Sequence, residues 1–442
     1  MGGANMLNRL VLGAAVVAVA GCSLFEDDED ILPGERIPVR ATIDERTISP
    51  EGRAQIGALP APLRNEEWTQ RNGGPTHSIG HLQAGSSLSV AWSADIGSGE
   101  SSDSTLTAQP IVAGGNVFTL DASSTVSAFS VNGGARAWSV SVAPENESGE
   151  DGFGGGLAYE DGRVFVTTGF GDTIALDASN GGEIWRQRVG APIRSAPSVA
   201  GGVVISIARD NSAFAYGVAD GAIRWRVRGA TSGAGVLGGA SAAISPGGTA
   251  VIPFGSGEVV AVGLQDGRRA WSDVLSGGRR GLARSAISDI SADPVIQGVA
   301  VIAGNSSGLL AGIDGRSGRR GWSREFGAMG PVWSAGPTMF VVSDDAQLKR
   351  LSAQDGSTIW STTLPQYDDP EDLEGVIRYG GPVLAGGRLL LGSAEGHLLS
   401  FNPETGEEIG RTDISGLSGL GPVVAGGTVY VLTDGGSLIA LR

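Results

Sequence analysis

The chain has 442 residues, with 31 Lys and Arg against 47 Asp and Glu, a net charge of −16 and an isoelectric point near 4.7. That balance excludes a nucleic-acid binder, because phosphates demand a basic surface. The single cysteine excludes an intramolecular disulfide, and the length exceeds what one compact core holds unless the fold grows by repetition.

In chain order, Arg9 and the apolar stretch 10–19 come first. Ten residues are too few to span a bilayer and suit the hydrophobic part of an export signal. Val19-Ala20-Gly21-Cys22 follows and resembles a bacterial lipobox. The resemblance implies a signal peptide over 1–21, cleavage before Cys22, and acylation of its thiol and of the new amine. One acyl chain holds weakly and several hold stably, at about 0.8 kcal/mol per buried CH₂. Ser23, in place of an aspartate, favours the outer membrane. The acidic run at 26–30 and the aperiodic sequence after it read as a solvated tether over 22–60. A propeller is expected over 61–442.

The strongest signal is a tryptophan that closes six related segments. These are NGGARAW (132–138), NGGEIW (180–185), DGAIRW (220–225), DGRRAW (266–271), SGRRGW (317–322) and DGSTIW (355–360). The gaps between tryptophans are 47, 40, 46, 51 and 38 residues. Trp92 extends the series at the front. At the back, TGEEIG (405–410) is read with Ile409 where the indole would stand. A period of about 45 residues with several strands per unit denotes a β-propeller. Within 380–409, tight glycine turns at 385–387 and 395–396 separate short apolar strands, and a fourth strand begins at Glu407. Eight such units are legible. The last stops after its third strand, and a strand near 88–95 has no unit of its own. The expected fold is therefore all-β: an eight-bladed propeller of four-stranded antiparallel blades, closed by an N-terminal strand joining the C-terminal blade. Repetition of the tryptophan argues for packing between blades rather than ligand stacking.

Chemistry is sparse in the sequence. His77 and His81 have helical metal-ligand spacing, but the glycines and Pro75 around them oppose a helix, and His397 lies in a strand. The Asp-Gly pairs are turn chemistry. The glycine runs at 152–156 and 233–239 lack the strand-loop-helix setting of a phosphate loop. No metal site and no catalytic residue emerges from this reading.

The repeat body, best seen in TIALDASNGGEIW (173–185), resembles the pyrroloquinoline-quinone type of propeller repeat. Two families share it: quinoprotein dehydrogenases and the outer-membrane assembly lipoproteins of the BamB family. The lipobox and the unit count favour the second, and the single cysteine cannot form the vicinal disulfide typical of the quinoprotein alcohol dehydrogenases. The resemblance implies a non-catalytic scaffold without cofactor, lipid-anchored on the periplasmic face of the outer membrane. It would bind the periplasmic POTRA domains of a BamA-type barrel insertase and support nascent outer-membrane proteins. The family's Leu-Arg pair before Ser-Ala-Pro corresponds to Ile193 and Arg194 here, in a loop two residues shorter. Its Ser-Asp-x-Asp loop corresponds to 288–291, which keeps Asp289 and loses the second acid. An aliphatic side chain can fill a pocket while arginine forms a directional charge-assisted bond. The alternatives are a quinone-dependent dehydrogenase and a propeller binding another envelope component, such as peptidoglycan.

Overall fold

The computed structural model describes residues 57–231, 239–275, 290, 292–306 and 308–442. Cys22 and Asp289 lie outside them.

Eight four-stranded antiparallel sheets follow one another, as the repeats require. Blade 1 runs from an inner strand Ile111–Ala113 to an outer strand Arg136–Ser141, and blade 2 from Gly156–Glu160 to Glu183–Arg188. Blade 3 runs from Ser198–Ala200 to Ile223–Arg228, blade 4 from Ala243–Ile244 to Arg269–Val274, and blade 5 from Ala292–Gln297 to Arg320–Arg324. Blade 6 runs from Trp333–Ala335 to Thr358–Thr363 and blade 7 from Tyr379–Ala385 to Glu408–Asp413. Blade 8 takes three strands from the C-terminal side (Val423–Ala425, Thr428–Leu432 and Ser437–Leu441) and its fourth, Val90–Asp95, from the N-terminal side. Trp92 pairs with Ala440 and Asp95 with Ser437. Because strands alternate in direction, two faces result. The turn face carries the turns between first and second and between third and fourth strands. The loop face carries the second-to-third turns and the connections between blades.

Adjacent blades are joined by an indole. The Trp225 ring lies on Gly267 of blade 4, and its N–H donates to the Leu264 carbonyl at 2.8 Å. Trp92, Trp138, Trp185, Trp271 and Trp360 donate in the same way to Val131, Ala178, Val218, Gly315 and Pro403. Trp322 rests on Gly356. Gly267 has φ +66°, and a Cβ there would stand 2.6 Å from Trp225 Cγ. Only glycine satisfies both demands.

The eighth joint differs, and the sequence reading misplaced it. Ser400 pairs with Gly410 and Phe401 with Glu408, the bulged register that pairs Ala175 with Trp185 in blade 2. Gly410, not Ile409, therefore holds the tryptophan position. Ile409 is an exposed neighbour, as Ile184 is beside Trp185. The reason lies in the closure. Blade 8 draws its fourth strand from the other end of the propeller sequence, so it has no third-to-fourth turn for an indole to cover.

Residues 63–84, unassigned by periodicity, close the inner edges of the blades. Gly426 N–H donates to the Asn65 carbonyl in blade 8, and Trp68 exchanges two backbone bonds with Val112 in blade 1. Tyr159 donates to Thr69, and the Gln70 amide bonds both backbone groups of Val199. Ile244 donates to Pro75, Ile296 to Thr76, the Trp333 indole to Gly80, and Leu82 to Leu384. One strap thus reaches the first strand of every blade in ring order, and supplies partners for edges that would otherwise stay unpaired. A buried carboxylate fixes its middle: Asp293 accepts from Asn72 Nδ2, the Ser241 amide and Arg71 Nε, each at 2.6 Å.

The two histidines belong to this strap. His77 Nδ1 lies 2.8 Å from the Pro294 carbonyl, and His81 Nδ1 lies 2.7 Å from that of Pro60. Both are buried structural groups held by separate backbone partners.

Gly267→Ala should destabilise by about 1–3 kcal/mol, through a positive φ and a clash with an indole. Gly410→Ala, where a Cβ meets nothing within 4 Å, should be neutral or add about 0.5 kcal/mol; urea midpoints separate the pair. Burial holds the His77 imidazole below its ordinary value, with Asp293 opposing. Its contribution is complete above the unfolded value of about 6.5 and declines as pH falls through it toward the lower folded value. The urea midpoint should drop between pH 7 and 5.5, and His77→Asn, which tolerates the positive φ of 56°, should flatten that drop.

Candidate partner-binding loop

The stretch 189–197 connects the outer strand of blade 2 to the inner strand of blade 3, on the loop face. It is held from three blades. Ile193 N–H donates to Thr168 O at 3.2 Å, and Arg209 N–H to Pro192 O at 2.9 Å. Thr167 Oγ1 donates to Ser195 O at 2.6 Å, and Ser241 Oγ to Ala196 O at 3.0 Å. A loop so anchored presents its side chains from a fixed frame, the condition for a specific contact without an ordering cost.

Ile193 does not present itself. It is 0 % exposed, bridges to Ala208, and packs with Phe165, Trp185, Val204 and Tyr216. The expectation that this aliphatic group fills a partner's pocket meets a side chain already used as the loop's own anchor. The alternating geometry of an extended segment decides this: with Ile193 inward, its neighbour Arg194 faces out.

Arg194 is half-buried. Its guanidinium lies 4.9 Å from the centroid of Phe153, a cation–π contact. Its aliphatic stem runs over Gly154, where an added Cβ would stand 3.2 Å from Arg194 Cγ. Its Nε is buried without a hydrogen-bond partner. Burial lowers its pKa, and the charge of nearby Arg209 adds to that. The site thus holds a cation that is partly desolvated and stacked, with an N–H left to donate. A carboxylate or carbonyl oxygen is the group that would complete it.

Phe153 and Gly154 belong to the run GFGGG, which lacks the setting of a phosphate loop and instead supplies a ring face and a glycine to Arg194. One signal was available: an aromatic inside a glycine-rich connection has little packing of its own, and invites a cation. Arg194 and Phe153 come from different blade connections and meet only in the folded ring. The second expected loop, with Asp289, falls outside the described residues.

The fold and this loop define a class: an eight-bladed propeller of quinoprotein-type repeats whose loop face carries a pre-set cation. Comparison with known proteins narrows it. The family described as "Outer membrane protein assembly factor BamB" matches residues 122–362 and 369–442, and the chain belongs to that family. Outer membrane protein assembly factor BamB of Shewanella oneidensis is 27 % identical over 374 residues, covering 82 % of this chain and 91 % of the relative. Among solved structures, BamB from Moraxella catarrhalis superposes with a TM-score of 0.64 at 22 % identity, over 80 % of this chain and 97 % of that one. The quinohemoprotein alcohol dehydrogenase of Comamonas testosteroni gives 0.66 at 14 % identity, over 86 % and 81 %. At these identities the two structures attest the fold alone.

Phe153→Ala should leave the global stability within about 1 kcal/mol while freeing the guanidinium. The stack is one half-buried cation–π pair, worth about 1 kcal/mol. Unfolding midpoints check the first statement, and faster modification of Arg194 by an arginine-selective dicarbonyl checks the second.

Proposed function

We propose that this protein is a non-catalytic scaffold in outer-membrane β-barrel assembly. It binds the periplasmic POTRA domains of a BamA-type insertase through its loop face and so supports folding and insertion of outer-membrane proteins. Family membership supports the assembly role. The observation that carries the binding mode is Arg194: a rigidly framed, half-desolvated guanidinium with a free donor on the loop face. In this reading Arg194 makes the charge-assisted bond and Ile193 holds the loop from below. Asp289 is assigned a second polar contact. Cys22 carries the acyl chains that keep the scaffold at the periplasmic face of the outer membrane.

The dehydrogenase alternative rests on likeness of fold at 14 % identity, and a propeller ring is shared by proteins of unrelated function.

Capture from detergent-solubilised envelopes tests the reading. Tagged wild-type chain should recover the insertase. Arg194→Ala should lower recovery by an amount equivalent to about 2 kcal/mol, a hot-spot loss, with stability lowered by no more than about 1 kcal/mol, the worth of the Phe153 stack. Ile193→Ala should lower both recovery and stability, by about 2–4 kcal/mol for the latter, since it empties a core position. Wild-type chain that recovers no insertase would end the proposal.

A further inference from the structure

The turn face carries a second surface. The described chain begins there: Gly57 lies against Pro337 and Pro60 against Gly336, in the first turn of blade 6. The segment leading back to Cys22 therefore joins the propeller on the turn face, opposite the Arg194 loop.

Beside that point, the third-to-fourth turns of blades 4 and 5 read Asp266-Gly267-Arg268-Arg269 and Asp314-Gly315-Arg316-Ser317-Gly318-Arg319. All four arginines are exposed. Among the described residues, none of Arg268, Arg316 and Arg319 has a carboxylate within ion-pair distance, and Arg269 reaches only the Arg228 carbonyl at 3.4 Å. The two acids of these turns are engaged locally: Asp266 accepts from the Arg268 amide, and Asp314 from the amide and hydroxyl of Ser317. The neighbouring Val299 is 53 % exposed at the tip of the first turn of blade 5, and its carbonyl accepts from the Gly315 amide at 2.7 Å. An apolar tip thus sits against the arginine turn.

Charge is also divided around the ring. Residues 183–350 carry 18 Lys and Arg against 12 Asp and Glu, whereas 351–442 carry 4 against 12. An anionic plane meeting the turn face is attracted at blades 4 and 5 and repelled at blade 7, where the corresponding turn holds Glu404, Glu407 and Glu408.

We propose that the turn face of blades 4 and 5 docks on the phosphate headgroups of the leaflet that holds the Cys22 anchor. The arginines meet phosphates and Val299 enters the headgroup boundary. This rests on the lipid-anchor part of the proposed function. The 35 residues from 22 to 56 span at most about 120 Å, so the anchor alone sets no orientation. It does confine the propeller near the surface, where weak contacts count because they are intramolecular in effect. Each arginine near an anionic surface favours the docked state by about five-fold. The outcome is a propeller whose loop face points away from the membrane, toward the periplasm.

The test uses the acylated full chain in vesicles of phosphatidylcholine alone or with 30 mol-percent phosphatidylglycerol, the lipid carrying an energy-transfer acceptor. A donor dye goes on Gln265→Cys, at the turn face, or on Ser415→Cys, at the loop face; acylation keeps Cys22 from the dye. Transfer from position 265 should exceed that from 415 in the anionic vesicles only. The difference should vanish in 0.5 M NaCl and in the variant combining Arg268→Gln, Arg269→Gln, Arg316→Gln and Arg319→Gln. Equal transfer from both sites in anionic vesicles, or a difference that survives the four substitutions, overturns the proposal. Failure of the chain to float with vesicles removes the anchor and the proposal with it, while leaving insertase capture to be judged separately. Loss of insertase capture in the fourfold variant would make this face a partner's seat instead, and also overturns it.

Discussion

The ring depends on one contact made seven times: an indole from one blade lying on a glycine of the next, in six cases with its N–H on that blade's carbonyl. Each contact joins a large apolar area to a directional bond, so it fixes both the separation and the rotation of two sheets. A glycine without a side chain is the other half of the joint, because the ring occupies the space a Cβ would take. Small, similar blades then add up to a large structure without a single large core.

Closure imposes the exception. A blade assembled from both ends of the sequence has no turn between its third and fourth strands, so its joint with blade 7 has nothing for an indole to cover. Gly410 stands in the tryptophan's place there. Sheet pairing of Val90–Asp95 with Ser437–Leu441 completes blade 8 itself, and the strap of residues 63–84, bonded to blade 8 through Asn65 and to blade 7 through Leu82, ties the two blades together. That strap answers a second demand of the architecture, since closing a ring of blades leaves the first strand of each with an unpaired inner edge. A single segment in ring order bonds a backbone group in seven blades and the Trp333 indole in blade 6.

The two faces inherit different tasks from this scaffold. The loop at 189–197 is held by neighbours on both sides, so it offers a rigid position on the loop face, and Arg194 over Phe153 uses it. The turn face receives the first described residues, with Gly57 and Pro60 against the first turn of blade 6. Division of charge between arcs of the ring then gives a protein of net charge −16 a local basic surface that its overall composition conceals.

The repeat, the number of blades, the packing role of the tryptophans and the pairing of the two chain ends were all written in the sequence, because each is a matter of spacing and alternation along the chain. Arg194 could be singled out as well, by its place before Ser-Ala-Pro. What spacing cannot carry is which way a side chain faces in an aperiodic loop, or what a distant connection brings beside it. Ile193 turned inward because its loop crosses the edge of an apolar cluster. Ile409 gives its assigned place to Gly410, which falls opposite Trp185 when TGEEIG is laid on NGGEIW without a gap, with the same bulge in both blades. The strap's circuit and the Phe153 platform were decided only in the tertiary structure. Both join residues far apart in sequence through backbone edges and ring faces, which leave no periodic mark.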